Sequence, residues 1–214
     1  MSSQAHSRRD ALCRAALAAG GLAAAGMLRP GVARAQTTDE QLRDFLAEAI
    51  ALEQITALAY SRAADVAGVK ADLKQTLELF RDQEQTQANA LRSAIDDLGY
   101  DAPDPPDSPT DTGVFDDVDG IDDETATRLS GLLEGLEGLQ RSGELLDYLT
   151  KLEEEQLSFY IAGGPEVDSV DLSTTSAEIA GCQAQHLYVL RGELGDNPVE
   201  ALVAAGEATD LPAT

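Results

Sequence analysis

Cysteine is almost missing from this sequence. The 214 residues include two, Cys13 and Cys182, and Cys13 falls in an N-terminal stretch that reads as a removable leader. Without that leader Cys182 stands alone, which excludes an internal disulfide even in an oxidising compartment. An unpaired Cys inside a helix ordinarily behaves as a small buried hydrophobe. Histidine is as scarce, with only His6 and His186. No activating pattern surrounds Cys182, so a catalytic nucleophile finds little support. Basic residues are the third shortage: fifteen stand against thirty-nine acids, a formal net charge of −24. Such a surface repels nucleic acid and anionic lipid, which excludes both as partners. It reads as a solubility device suited to a salty medium. No apolar run is long enough to span a membrane, and no strand pattern of useful length occurs.

The N-terminal stretch explains where several of the basic residues sit. Ser7-Arg8-Arg9 precedes a weakly apolar, Ala/Gly-rich run from Ala15 to Leu28, followed by Arg29-Pro30 and then Ala33-Arg34-Ala35. A basic start, a short apolar middle and small residues before a cut describe a signal peptide. The paired arginines point to the twin-arginine export route. Cys13 lies before the apolar run, not after it, which argues against a lipoprotein. Residues 1–35 are therefore expected to be removed and 36–214 to form the folded part, large enough for one core. Cleavage would take five basic residues and one acid, leaving a formal charge of −28. The expected location is extracytoplasmic: periplasm, cell envelope or medium.

Four segments carry apolar residues at three-to-four spacing, predicting helices over about 39–67, 71–98, 144–162 and 175–194. Thr38 or Asp39 can cap the first. Gly68, Gly99, Gly163-Gly164-Pro165 and Gly195 supply the stops. Between the second and third lies Tyr100 to Gly120, with Pro103, Pro105, Pro106 and Pro109, which reads as non-helical. About 20 extended residues reach roughly 65 Å, whereas a 28-residue helix is about 42 Å long. The connection can thus run the length of a bundle. The short links on either side make this an all-α four-helix bundle with one long crossover between helices 2 and 3. A further helix is expected over about 122–140, either continuous with the third core helix or broken near Ser142-Gly143, and a short one over 198–205. The acidic run Asp116 to Gly120 fails the calcium-loop register, because Phe115 and Ala126 would occupy ligand positions. It reads as a solvated turn.

The core faces are interrupted by polar residues. Glu53 lies on the first helix, Glu84 and Gln87 on the second, Glu153 on the third, and Gln183 and His186 on the fourth. A lone buried carboxylate must find a proton, a cation or a donor; six such residues on four helices form a pattern. The pattern repeats internally. Leu52-Glu53 with Tyr60 recurs as Leu152-Glu153 with Tyr160. Glu84-x-x-Gln87 before Leu91-Arg92 recurs as Gln183-x-x-His186 before Leu190-Arg191, and both copies end in Leu-Gly. A duplicated helical hairpin explains this, whereas helical periodicity alone would not.

On these residues the chain resembles the ferritin-like family of di-metal carboxylate proteins, and within it the exported, desiccation-related group, over about residues 39–195. The resemblance implies a site in which two helices each give a Glu and two each give Glu-x-x-His. Gln87 stands where the family has His, and Gln183 where it has Glu. The implied ligand set is therefore Glu53, Glu84, Glu153, His186, Gln87 and Gln183, with three carboxylates instead of four. Gln is a neutral and weaker ligand for transition metals. The implied cofactor is iron or manganese, with one ion, a weaker pair or none left open. Tyr60 and Tyr160 can donate to the site or carry electrons; aromatic core packing is the simpler role.

Two functions follow as expectations. One is an exported ferritin-like protein with a degenerate carboxylate and histidine metal site, serving redox chemistry or stress protection. The other is a metal-free bundle acting as a non-catalytic protective or binding module. Metal ions are the expected partners on the first, and association with further copies of the chain stays open; a cage-forming iron store ranks last.

Overall fold

The computed structural model describes residues 37–164 and 169–195. The leader and the short helix expected over 198–205 lie outside these. Among the described residues there are five α-helices and no strand: α1 (Asp39–Asp65), α2 (Ala71–Asp97), α3 (Asp123–Glu137), α4 (Ser142–Gly163) and α5 (Val170–Leu194), with a short 3-10 turn at Thr112–Phe115. None of the described helices is long and apolar enough to cross a membrane.

Helix α1 begins where its sequence can satisfy the free backbone donors of a helix end. The Thr38 hydroxyl accepts from the Gln41 N–H at 3.2 Å, and the Gln41 side chain accepts from the Thr38 N–H at 3.0 Å, a reciprocal capping box. From Leu46 to Ala57 the helix is almost wholly buried, because α2, α3 and α4 all pack against it. Ala47, Ala49, Ala51, Ala59, Ala63 and Ala64 keep its sides narrow enough for that enclosure. Gly99 and Gly195, just past the ends of α2 and α5, take φ +83° and +86°, a left-handed conformation that glycine adopts without a Cβ penalty.

The direction of each helix follows from its end contacts. The Arg62 guanidinium, near the top of α1, donates to the carbonyls of Glu137 and Leu139 at 3.3 and 3.4 Å, so α3 ends beside the top of α1. Arg128, early in α3, pairs with Glu48 at 2.6 Å and with Glu155, so α3 climbs alongside α1. Gly163, at the end of α4, lies against the Phe45 ring so closely that an added Cβ would sit 2.6 Å from it. Helix α4 therefore descends beside α1, and α5 returns upward along α4. This is the expected four-helix bundle of α1, α2, α4 and α5 with one long crossover.

Two sequence expectations are corrected here, and one alternative left open is decided. The crossover segment, read as non-helical throughout, contains the 3-10 turn once Pro109 is past, and it buries Phe115 completely. Much of the climb is made by α3, not by extended chain. Of the two alternatives left open for residues 122–140, the structure has the break: α3 ends at Glu137 and α4 starts at Ser142. Finally, α5 starts five residues before the expected position, capped by the Ser169 hydroxyl on the Leu172 N–H at 3.4 Å. Its first residue, Val170, is 81% exposed, so the first turn carries no apolar stripe from which periodicity could detect it. The acidic run is a turn: Asp116, Asp117 and Asp119 are exposed, and Asp117 takes a positive φ of 59°.

Candidate metal centre

The bundle interior carries the six polar residues singled out above. Glu53, Glu84, Glu153, Gln183 and His186 are fully buried and Gln87 is 5% exposed. Helical spacing brings them to one level. Glu53 comes from α1, Glu84 and Gln87 from α2, Glu153 from α4, and Gln183 and His186 from α5.

His186 is the centre of one half. Its Nδ1 lies 3.1 Å from Glu84 Oε1 and 3.0 Å from Glu153 Oε1. Glu84, Glu153 and His186 each offer one ligand atom, all within 4.8 Å of one another. The far nitrogen, Nε2, lies 2.8 Å from Gln83 Oε1 and 3.5 Å from Cys182 Sγ. Phe80 stacks on the imidazole at 3.9 Å between ring centres, and Tyr60 meets it edge-on.

The other half is built on Glu53. The Tyr160 hydroxyl donates to Glu53 Oε1 at 2.6 Å, and across the site the Tyr60 hydroxyl donates to Glu153 Oε1. Gln156 donates to Glu84 Oε2 at 3.3 Å. The Gln183 amide lies amid acceptors on every side. In one orientation its nitrogen is 3.3–3.4 Å from Glu53, Glu84 and Gln87. Turned over, it donates to Glu153 Oε2 at 2.9 Å, Glu84 Oε1 at 3.2 Å and His186 Nδ1 at 3.3 Å, and these are the better contacts. Gln87 reaches the cluster only through Gln183. No amide, hydroxyl or imidazole hydrogen reaches Glu53 Oε2, and the buried oxygens Thr56 Oγ1 and Gln156 Oε1 also lack partners; the Glu53 carboxyl is left to share a proton with Glu84.

Electrostatics follow from this crowding. Burial, then the neighbouring Glu84 carboxylate, raises Glu53 well above the usual carboxylate range. Burial acts on Glu84 in the same direction, but hydrogen bonding and attraction to His186 outweigh it and hold Glu84 below its ordinary value. Burial raises Glu153 to about 7 despite the pull of His186. For His186 the carboxylate of Glu153, with help from Cys182 and Glu84, overcomes burial and lifts the ring well above its ordinary value. Burial also raises both tyrosines, so they stay protonated and act as donors. The cluster thus holds more acceptors than donors and is balanced by protons where no cation is present.

A divalent cation fits this donor set. Two carboxylates and an imidazole converge, the imidazole's other nitrogen meets an amide oxygen as metal-bound histidines require, and an orphaned carboxylate oxygen faces the same interior. Sequence reasoning missed two residues of the site. Gln83 precedes Glu84 as Cys182 precedes Gln183, so the repeat itself pairs them. Gln156, on the core stripe, matches Thr56 in the other copy.

These features define a helical bundle with a buried carboxylate and histidine centre. The sequence profile of the ferritin-like domain family matches residues 41–196, and the chain belongs to that family. No curated protein and no solved structure matches it.

Proposed function

We propose that the chain binds one iron or manganese ion in the His186 half of the site and serves a redox or stress-protective role outside the cytoplasm. The observation that carries this reading is the convergence of Glu84, Glu153 and His186 within 4.8 Å, beside a buried Glu53 oxygen that no amide, hydroxyl or imidazole hydrogen reaches. Glu84 and Glu153 would supply charge and His186 Nδ1 the nitrogen ligand. Glu53 and Gln183 complete the surroundings, with Gln87 behind them. A bound iron or manganese ion supplies one-electron chemistry toward oxygen or peroxide. The protein's own part is to exclude water with Phe80, Tyr60 and the flanking leucines, and to hold the carboxylates with tyrosine and amide donors. Gln183 places a neutral amide where a fourth carboxylate would sit, which supports one ion over two. Export rests on Arg8-Arg9, the run from Ala15 to Leu28 and Ala33-Arg34-Ala35.

Elemental analysis of the exported protein, purified without chelators, tests this together with thermal melting. About one ion per chain is expected. At a free concentration 100-fold above Kd, the ion should stabilise the fold by about 2.7 kcal/mol, or roughly 5–10 °C in Tm. No bound metal and an unmoved Tm on adding iron or manganese would leave the second reading, a metal-free protective bundle. That reading is favoured by the tyrosine and amide donors, which let protons alone balance the carboxylates.

A further inference from the structure

His186 can present either ring nitrogen to a ligand, and what faces each one decides which is used. Nδ1 points into the cluster at Glu84 and Glu153, 3.1 and 3.0 Å away. Nε2 points outward, across the seam between α2 and α5, at Gln83 Oε1 and the Cys182 thiol. These two are the groups on Nε2, and they make opposite demands. An amide oxygen can only accept, so it requires a hydrogen on Nε2. A thiol donating to Nε2 would require that nitrogen to be bare. Gln83 sits at 2.8 Å and Cys182 at 3.5 Å, and amide oxygen is much the stronger hydrogen-bonding group, so Gln83 prevails. Gln83 is 8% exposed, which leaves little water to compete. On the other side, the Glu84 and Glu153 oxygens accept the Nδ1 hydrogen while no cation is present, and a cation drawn to those oxygens takes that hydrogen's place, whereas the hydrogen on Nε2 keeps its own acceptor.

We propose that Gln83 is the positioning residue of this site: by accepting the Nε2 hydrogen it fixes the imidazole tautomer and commits Nδ1 to the cation. This rests on the reading of the cluster as a cation centre. Gln83 touches no cation itself and acts through His186. The device belongs to this chain's own asymmetry. The internal repeat places Gln83 and Cys182 at equivalent positions, yet only one copy has the His, and both residues face it.

The test uses the full chain carrying His6→Ala, so that His186 is the single imidazole, and zinc alone as a diamagnetic probe. Long-range proton–nitrogen spectra of the zinc-loaded protein should show Nε2 bearing hydrogen and Nδ1 ligated. Gln83→Leu should weaken zinc binding roughly 10- to 100-fold, the usual cost of losing such a partner. Gln83→Glu, which keeps the acceptor, should restore it, and Cys182→Ala should leave it unchanged. Zinc on Nε2, or a folded Gln83→Leu protein binding zinc as tightly as the parent, would overturn the proposal. If zinc does not bind the parent chain at all, the cation reading fails, and the zinc-free spectrum still decides the role of Gln83. A bare Nε2 overturns it, whatever Nδ1 carries, as does an Nε2 hydrogen whose exchange with water is the same in Gln83→Leu; an Nε2 hydrogen that exchanges faster in Gln83→Leu supports it.

Discussion

Tyr160 on α4 donates its hydroxyl to Glu53 on α1, and Tyr60 on α1 returns the arrangement to Glu153 on α4. Each tyrosine lies seven residues beyond the Glu of its own helix and serves the Glu of the other. The exchange follows from two antiparallel helices, α1 and α4, facing each other about the site. It gives both phenols a structural role, because each satisfies a carboxylate oxygen that water cannot reach.

Removing one phenol oxygen should therefore be costly out of proportion to its size. Tyr160→Phe removes the hydroxyl donor from Glu53 Oε1, because the favoured orientation of the Gln183 amide turns its oxygen toward Glu53. A destabilisation of about 1–3 kcal/mol is expected, the range for stranding a buried polar atom. Urea unfolding measures it as a lower midpoint at unchanged slope. An unchanged midpoint would show that Glu53 is satisfied without Tyr160.

The raised carboxylates set a pH dependence. Glu53 and Glu153 bind protons more tightly in the folded metal-free protein than in the unfolded chain. Their contribution to stability is present in full below the ordinary carboxylate value and is lost as pH rises, for Glu153 through about 7. His186, raised well above its ordinary value, acts with the same sign at higher pH. Glu84 is lowered, so its contribution is lost only as pH falls into the acid range. Metal-free stability should thus decline between about pH 4.5 and 7, by at most about 1.4 kcal/mol per pH unit for each carboxyl. Glu153→Gln should flatten that slope, and thermal melts across the range would show it. Saturating manganese should oppose the trend, because the cation replaces the protons.

The helices and their stops were legible because burial on one face leaves a three-to-four period and because glycine marks the left-handed ends at Gly99 and Gly195. The start of α5 was not, since Val170 faces solvent and only the Ser169 cap announces it. The break between α3 and α4 carried no periodic signal around Gly138. The six site residues stood out because each interrupts an apolar stripe, and the structure buries all six. Gln83 escaped notice because position 83 is one residue off the stripe that holds Glu84, and its role emerges only once α5 brings His186 opposite it. The tyrosines could be placed in the core from spacing, but donation to the opposite Glu is a tertiary fact.

The crossover is tied to the bundle at Pro103. Its carbonyl accepts from the Arg92 guanidinium at 2.6 Å and from the Gln54 amide at 3.1 Å. Arg92→Ala should cost about 1.5–3 kcal/mol, the range for a hydrogen bond from a charged group. It should also open residues 98–122 to limited proteolysis before the helices, since local release needs less energy than global unfolding. Cleavage no faster than in the parent protein would mean that Gln54 and the buried Phe115 hold the segment by themselves.

The asymmetry of the site can be removed by two substitutions, because Glu84-x-x-Gln87 on α2 and Gln183-x-x-His186 on α5 align position by position. Glu84 corresponds to Gln183 and Gln87 to His186, so Gln87→His with Gln183→Glu gives both copies the Glu-x-x-His pattern. The double variant would hold four carboxylates and two imidazoles in the space that now holds three and one. Without metal, the added buried carboxylate should repel Glu53, Glu84 and Glu153 and lower stability by several kcal/mol, the effective cost of an uncompensated buried charge. With metal, each copy can provide a full ligand pair, and elemental analysis should rise from about one ion per chain to about two. Thermal melts should show a larger metal-dependent gain than in the parent. A folded double variant that still holds one ion would mean that the second position is closed by the packing around Thr56 and Gln156, and not by the neutrality of Gln87 and Gln183.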